Sequence, residues 1–279
     1  MKPSMVYNQT QGANSLLALK IQRLNAIDQH MVIRHDMFFL AHNYLNSYPH
    51  DYLNNYLHKI SVTLLTEDFR VDKLYDYFHI TLPEALTKAA KKRQLEFFAG
   101  RLSAKFALEP FGLNDAQIVK GAHGEPLWPH GIGGSISHTG TKHSCTAISY
   151  INEVKLQPQG IGIDIETKRD NDYFKHDTLL SHVFLNFQEQ ARLLASEKQY
   201  SYLIVFSAKE SIIKAIYDKY SILLDLLAIE FRRMNDHLAE FTVIAPNLYF
   251  YGLGVDVSFY FTEEDVITIC PMIHSLPIK

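Results

Sequence analysis

Hydrophobic positions change period several times along the chain. From Leu16 to Leu57 the segment is rich in Leu, Ile, Asn, His and Tyr at irregular helical spacing, which predicts helix and loop. Ile60 to Leu65 is short, β-branched and apolar and predicts a strand. Leu82, Pro83 and Glu84 mark a helix entrance. Ala85 to Leu108 then places Leu86, Ala89, Ala90, Leu95, Phe98, Ala99, Leu102 and Phe106 on one helical face. The opposite face carries Lys88, Lys91, Lys92, Arg93 and Lys105, the usual composition of a solvated surface. A Gly/Pro loop from Gly121 to Gly134 holds Trp128. Ser135 to His138 and Cys145 to Ile151 predict strands around a Thr-Gly turn. Gln157 to Gly160 reads as a hinge. Beyond it, Ile161 to Glu166 predicts a strand, and helices are expected over Tyr173 to Phe187, Phe184 to Ala195 and Tyr200 to Lys219. Leu226 to Phe231, Phe241 to Ile244, Val255 to Phe261 and Val266 to Cys270 predict closing strands. The order is that of an α+β chain with two similar halves. The expected divisions are an N-terminal extension over 1–58, an N-terminal half over 59–157 and a C-terminal half over 158–279.

Composition narrows the class. The 279 residues are 47% hydrophobic and 12% aromatic, which suits a globular chain with a large core. The formal net charge of -3 gives no support for nucleic acid or an anionic membrane as partner. No stretch approaches the roughly 18 uninterrupted apolar residues of a spanning helix. Met1 to Thr10 holds one lysine and no following apolar run, so no secretory signal is expected. The two cysteines, Cys145 and Cys270, lack a CxxC neighbour and suit a reducing compartment. The expectation is a cytoplasmic protein.

Three segments can carry chemistry. In Gly160-Ile-Gly-Ile-Asp-Ile-Glu166, strand alternation points Asp164 and Glu166 to the same side. Two adjacent carboxylates repel unless a cation lies between them, and hard oxygens suit Mg2+. An exposed strand with a polar face would show the same alternation. In Phe206-Ser-Ala-Lys-Glu-Ser-Ile-Ile-Lys214, Glu210 and Lys214 are helical neighbours at i and i+4, a common surface pairing when it stands alone. In Gly134-Ser-Ile-Ser-His-Thr-Gly140, a serine and a histidine at a strand end offer donors to an anion. The order is not the Gly-x-Ser-x-Gly of a hydrolase elbow, and with fourteen histidines any single one is as well explained by packing.

Together, Trp128-Pro-x-Gly131, Gly134-Ser-Ile-Ser-His138, Gly160-Ile-Gly-Ile-Asp-Ile-Glu166 and Phe206-Ser-Ala-Lys-Glu-Ser-x-x-Lys214 resemble the motifs of the 4'-phosphopantetheinyl transferase superfamily. The segment from Arg93 to Arg101, ending Phe-Ala-Gly-Arg, and the Trp-Pro loop are most similar to the branch of enterobactin synthetase component D. That branch belongs to the pseudo-dimeric, surfactin-type class. The resemblance covers roughly Ile60 to Cys270. It implies two similar α/β halves with the active site in the cleft between them. It implies transfer of the phosphopantetheine arm of coenzyme A to a serine of an apo carrier protein, with release of 3',5'-ADP.

Residue by residue, the resemblance implies Asp164, Glu166 and Glu210 as magnesium ligands; the expected mechanism has Glu210, or a metal-bound water polarised by it, as base, and Lys214 as the group that stabilises or protonates the leaving 3',5'-ADP. Lys209 and Lys214 correspond to phosphate-contacting lysines, and Ser137 and His138 to a pair that holds the nucleotide phosphates. Arg93 and Arg101 correspond to basic positions that hold coenzyme A, and Gly124 and Pro126 to an element beside the adenine. Many relatives carry a lysine where this chain has Glu125, and His123 or Lys120 are the neighbours able to compensate. Phe174, Leu179, Leu180, Val183 and Phe184 form an apolar set that suits either carrier docking or the core. The branch suggests a carrier of a siderophore-type non-ribosomal peptide synthetase; polyketide and polyunsaturated fatty acid synthase carriers are alternatives. A monomer is expected. The competing readings are another magnesium enzyme acting on phosphate esters, a catalytically silent module binding coenzyme A or a carrier, and a structural protein with chance motifs.

Overall fold

The computed structural model describes residues 6–7, 15–39, 56–154, 160–246, 248 and 250–271. The described residues up to Glu153 form one unit and those from Val154 onward form a second.

The first unit runs β1 (Val6–Tyr7), α1 (Leu16–Ile27), β2 (Met31–Phe39), β3 (Tyr56–Leu64), α2 (Asp72–Phe78), α3 (Glu84–Thr87), α4 (Lys91–Leu108), β4 (Val119–Lys120), β5 (Pro126–Leu127), β6 (Ile132–Gly140) and β7 (Ser144–Glu153). Five strands pair in the order β1-β2-β3-β7-β6, every neighbour antiparallel, while β4 and β5 make a separate ribbon. Helix α4 lies on β3, β6 and β7, with Leu95, Phe98, Ala99 and Leu102 fully buried against Ile60, Val62 and Ala147. Each large apolar side chain so buried contributes about 1.5–3 kcal/mol.

The second unit runs β8 (Ile161–Thr167), α5 (Asn171–His176), α6 (Thr178–Phe184), α7 (Phe187–Leu194), α8 (Ser201–Tyr220), β9 (Ile229–Met234), β10 (Leu238–Val243), β11 (Gly254–Phe261) and β12 (Asp265–Pro271). Its sheet is antiparallel in the order β8-β12-β11-β10-β9. Helix α8 crosses β8, β12 and β11, and buries Leu203, Val205, Ala208, Ile212, Ala215 and Ile216 against Phe241, Val257 and Val266. Each unit is thus a five-stranded antiparallel sheet with one long helix across it, the two-halves arrangement expected of the α+β chain. Among the described residues no helix is long and apolar enough to cross a membrane.

Several elements differ from the sequence expectation. Helix and loop were expected before residue 59, yet α1 buries Leu17, Ile21 and Leu24 in the first core and β2 pairs with β3 over nine positions. Asn25 joins them: its amide bonds both the N–H and the carbonyl of Ile33. The expected helix over Ala85–Leu108 breaks after Thr87, where the Gln94 side chain caps the carbonyls of Leu86, Thr87 and Ala89. The basic residues of α4 are not all solvated either: Lys105 is buried, its ammonium on the carbonyl of Asn114. The helix expected over Tyr173–Phe187 divides at Asp177, whose carboxylate caps α6 through the Leu180 N–H. Of the apolar set on this stretch, Phe174 and Phe184 belong to the core and Leu180 packs against it, whereas Leu179 and Val183 are exposed. Residues 157–159 of the expected hinge lie outside the described residues.

One buried pair on the first sheet gives a test. His35 Nε2 and His58 Nδ1 are 3.2 Å apart, and the His35 ring stacks on Phe106. Burial pushes His58 down to about 3 and His35 down to about 4, so both are neutral in the folded chain. The unfolded chain binds protons at these positions below about pH 6.5, so stability falls as pH drops from there toward 4. A double His35→Phe, His58→Leu variant is expected to lose a large part of that acid dependence, on the order of a few kcal/mol, in urea unfolding followed from pH 7 to 4. An unchanged pH profile contradicts the assignment.

Candidate active site

The second unit brings one acidic strand and one long helix into contact at three levels. At the first, the Gly160 N–H donates to Asp218 Oδ2 at 3.1 Å. At the second, Gly162 faces the α8 backbone so closely that a methyl group there would lie 1.8 Å from the Ser211 carbonyl oxygen and 2.7 Å from the Ala215 nitrogen. At the third, Asp164 meets Ser207 and Lys214: Ser207 Oγ donates to Oδ2 at 2.8 Å, and Lys214 Nζ lies 2.7 Å from Oδ1. Lys214 also donates to the Ile163 carbonyl at 3.2 Å. The Gly-x-Gly-x-Asp spacing is therefore a packing requirement and not only a chemical one.

Asp164 is nearly fully buried, and Glu166, two residues on, is half-buried on the same strand face. Burial pushes the Glu210 carboxyl above the usual carboxylate range; Lys214 opposes this and Asp164 adds to it. Burial works against the charge of Lys214, yet Asp164, Glu210 and Glu166 together hold its pKa above the ordinary value. Three carboxylates thus act on one ammonium, and Asp164 is in hydrogen-bonding contact with it. Asp164 and Lys214, drawn from two motifs fifty residues apart, are in contact, and Glu166 and Glu210 act on the same ammonium electrostatically. They do not form a ready-made metal nest: among the described residues no three acidic or imidazole side chains stand close enough to share one ion. The ammonium of Lys214 pairs with Asp164 instead. The hard oxygen donors and the excess of carboxylate over ammonium fit a divalent cation in kind.

A relay of hydroxyls behind Asp164 was not anticipated. Thr268 is the cross-strand partner of Asp164 on β12, and its Oγ1 lies 2.9 Å from Ser207 Oγ and 2.6 Å from Ser211 Oγ. All three hydroxyl residues are fully buried. Each hydroxyl has one proton. Since Ser207 spends its proton on Asp164, Thr268 donates to Ser207, and the Ser211 hydroxyl has both Thr268 Oγ1 and the Thr268 carbonyl, at 3.2 Å, as acceptors. The readable signal was Ser207 and Ser211 at i and i+4 on an otherwise apolar helical face, opposite a threonine in β12.

Lys209 is a correction. It was expected to contact phosphate, but its side chain is 0% exposed and its ammonium lies 2.7 Å from Glu189 Oε1. Burial pulls it below the ordinary lysine range and Glu189 opposes that pull.

In the first unit the expected ligands fall into separate groups. Arg93 Nη1 lies 3.2 Å from Glu96 Oε2 and 3.1 Å from His138 Nε2. Arginine can only donate, so that ring nitrogen accepts and the proton lies on Nδ1, 3.8 Å from Glu96. Ser137 is buried and, as the strand neighbour of His138, points to the other sheet face, so the two side chains are not side by side. Arg101 is two turns further along α4, about 12 Å away. Its guanidinium lies over Phe97, its Nε donates to the Ile118 carbonyl, and it lines a cavity of about 190 Å³ with Phe97, Lys105, Gln117 and Lys120. Gly124 takes a left-handed φ of 96° in the turn between β4 and β5. Lys120, which pairs with Pro126, packs over it. Glu125 closes the same turn by accepting the His123 N–H, so its carboxylate has a structural use there.

Comparison with known proteins agrees with this architecture. A model of the 4'-phosphopantetheinyl transferase N-terminal domain matches residues 82–148, and a model of the 4'-phosphopantetheinyl transferase superfamily matches residues 160–270. The chain belongs to that superfamily. It is 31% identical over 159 residues to enterobactin synthase component D of Salmonella typhi, covering 56% of this chain and 62% of that protein. It is 35% identical over 134 residues to enterobactin synthase component D of Escherichia coli (strain K12), covering 47% and 58%. Over 60 residues it is 42% identical to the 4'-phosphopantetheinyl transferase PptT of Mycobacterium tuberculosis, covering 20% and 26%. The chain thus spans about three fifths of the length of the component D relatives.

Two substitutions test the contact between α8 and β8. Gly162→Ala forces helix and strand apart and is expected to cost about 1–3 kcal/mol in urea unfolding. Thr268→Val keeps the shape but removes the hydroxyl that joins Ser207 to Ser211, with an expected cost of about 1 kcal/mol. Wild-type stability in both variants contradicts the packing described.

Proposed function

We propose that this chain transfers the 4'-phosphopantetheine group of coenzyme A to a serine hydroxyl of an apo carrier protein and releases 3',5'-ADP. The observation that carries this reading is the convergence of Asp164, Glu166 and Glu210 on Lys214 in a chain of the 4'-phosphopantetheinyl transferase superfamily. Asp164, Glu166 and Glu210 would hold Mg2+, which when bound neutralises charge on the diphosphate.

The rest falls to the protein's own groups. Burial holds the Glu210 carboxyl above the usual carboxylate range, which makes it a stronger base, and Glu210 takes the proton from the attacking serine hydroxyl. The serine oxygen forms its bond to the phosphorus bearing pantetheine as the bridging P–O bond breaks. The electron pair leaves on 3',5'-ADP, where the Lys214 ammonium offsets the new negative charge. Ser207, backed by Thr268 and Ser211, holds Asp164 in one orientation throughout. In the first unit, Arg93 and His138 would hold phosphate oxygens, and Arg101, Lys105 and Lys120, which line one cavity, would hold the nucleotide end of coenzyme A.

Likeness to two enterobactin synthase component D proteins supports a siderophore-type non-ribosomal peptide synthetase carrier as the acceptor. Both cysteines are free and buried, compatible with a reducing cytoplasm.

The test is incubation of the purified chain with coenzyme A, MgCl2 and apo carrier proteins of peptidyl, aryl and acyl type, followed by intact mass. A gain of one phosphopantetheine, fastest on the peptidyl or aryl carriers, is expected. Consumption of coenzyme A without a mass gain on any carrier indicates a phosphate-ester hydrolase instead. Asp164→Ala is expected to reduce transfer about 100-fold or more while the chain stays folded. Undiminished transfer by that variant contradicts the role given to Asp164.

A further inference from the structure

Lys209 sits inside the most conspicuous stretch of α8, directly before Glu210, yet its side chain turns inward. Lys209 and Glu189 are both 0% exposed. The Lys209 ammonium meets Glu189 Oε1 at 2.7 Å and donates to the carbonyls of Phe184 and Leu226. An ammonium has three protons, and these three acceptors take them all. No donor is left over for a phosphate, and the carboxylate alongside would repel one.

The carboxylate is equally committed. Glu189 Oε1 also accepts the Phe231 N–H at 2.6 Å, and Oε2 accepts the Asn186 N–H at 2.8 Å to complete the capping box of α7. Arg192, on the same helix, adds a second tie to β9 through Glu230 and the Phe231 carbonyl. Through this one ion pair, α8 is bound to the end of α6, the start of α7, the first turn after Asp225 and strand β9. Successive residues on a helix differ by ~100° in direction. Anchoring the long Lys209 side chain therefore fixes the rotation of α8 about its axis, and with it the directions of Glu210 and Lys214. A buried pair of this kind is poor as a source of stability, because desolvation offsets most of the attraction, but it is effective at selecting one arrangement.

We propose that Glu189 and Lys209 are positioning residues, which act as a buried strut that orients Glu210 toward Asp164 and make no contact with coenzyme A. This rests on the function proposed above. It gives the first lysine of the Lys-Glu-Ser motif a role different from phosphate binding, and it gives Glu189 a role that no motif assigned.

The experiment compares the full-length chain with its Glu189→Gln, Lys209→Met and doubly substituted variants. Four quantities are read below the melting temperature: kcat and KM for transfer, coenzyme A affinity by calorimetry without carrier or metal, and Mn2+ affinity. Glu189→Gln removes no positive charge, so a phosphate-binding Lys209 would be indifferent to it. A strut would not be. The expected result is a fall in kcat of about 10- to 100-fold in each single variant, with a similar loss of Mn2+ affinity. KM and calorimetric affinity for coenzyme A are expected to stay at wild-type values. The double variant, which leaves neither charge uncompensated, is expected to be no worse than the poorer single variant. A Lys209→Met chain that loses coenzyme A affinity about tenfold or more, beside a Glu189→Gln chain with wild-type kcat, overturns the proposal. If Lys209→Met fails to fold, Glu189→Gln decides alone by its kcat and Mn2+ affinity. If the wild-type chain transfers nothing to any carrier, the functional reading fails by itself, and the Mn2+ and coenzyme A titrations still decide whether the pair orients Glu210.

Discussion

The approach of helix α8 to strand β8 at Gly162 is the constraint on which the rest of the second unit depends. There is no room for a single methyl group between that glycine and the α8 backbone. Because the two backbones touch there, residues two steps along the strand meet residues one turn along the helix. Asp164 thereby reaches Ser207 and Lys214 at hydrogen-bonding distance. Gly160, held by Asp218, fixes the same strand on the other side of the contact. A wider separation would leave the carboxylate of Asp164 buried without the ammonium that makes its charge tolerable.

The electrostatics follow from that geometry. Burial works against the charge of Lys214, and Asp164, Glu210 and Glu166 together outweigh it. Glu210 answers in the opposite sense, with a carboxyl pushed up by burial and by Asp164. A site poised in this way has more carboxylate than ammonium and holds both a group that accepts a proton readily and a group that keeps one firmly. Those are the two requirements for deprotonating a hydroxyl nucleophile and stabilising a phosphate leaving group. The hydroxyl relay through Thr268 and Ser211 adds rigidity beneath, since the Ser207 hydroxyl that donates to Asp164 is itself held by Thr268, and Thr268 by Ser211.

Much of the second unit was legible in the sequence, and the reason is local. Ile161, Ile163 and Ile165 alternate with glycines and acids, so strand period, face and chemistry are all written into seven residues. Strand β2 was hidden because its third inward position is His35, not an aliphatic residue, and a stacked ring looks polar in sequence. The break between α3 and α4 was hidden because a side chain, Gln94, supplies the cap from within the following helix. Lys209 was misjudged for a more general reason. A phosphate and a buried carboxylate call for the same ammonium, and only the environment tells them apart. Its partner lay in view as the Asn186-x-x-Glu189 capping pattern, but nothing local connects residues twenty positions apart. Arg93 and Arg101 look equivalent by type, yet a spacing of eight turns them to different neighbours.

The claim that matters most is that Asp164, Glu166 and Glu210 together hold a divalent cation against a diphosphate. Electron paramagnetic resonance of free Mn2+, titrated into the chain with coenzyme A present, measures it directly. The wild-type chain is expected to remove one Mn2+ per molecule from solution, and the triple variant Asp164→Asn, Glu166→Gln, Glu210→Gln is expected to remove none. Equal Mn2+ uptake by the two chains, both folded and both with coenzyme A bound, would contradict the account.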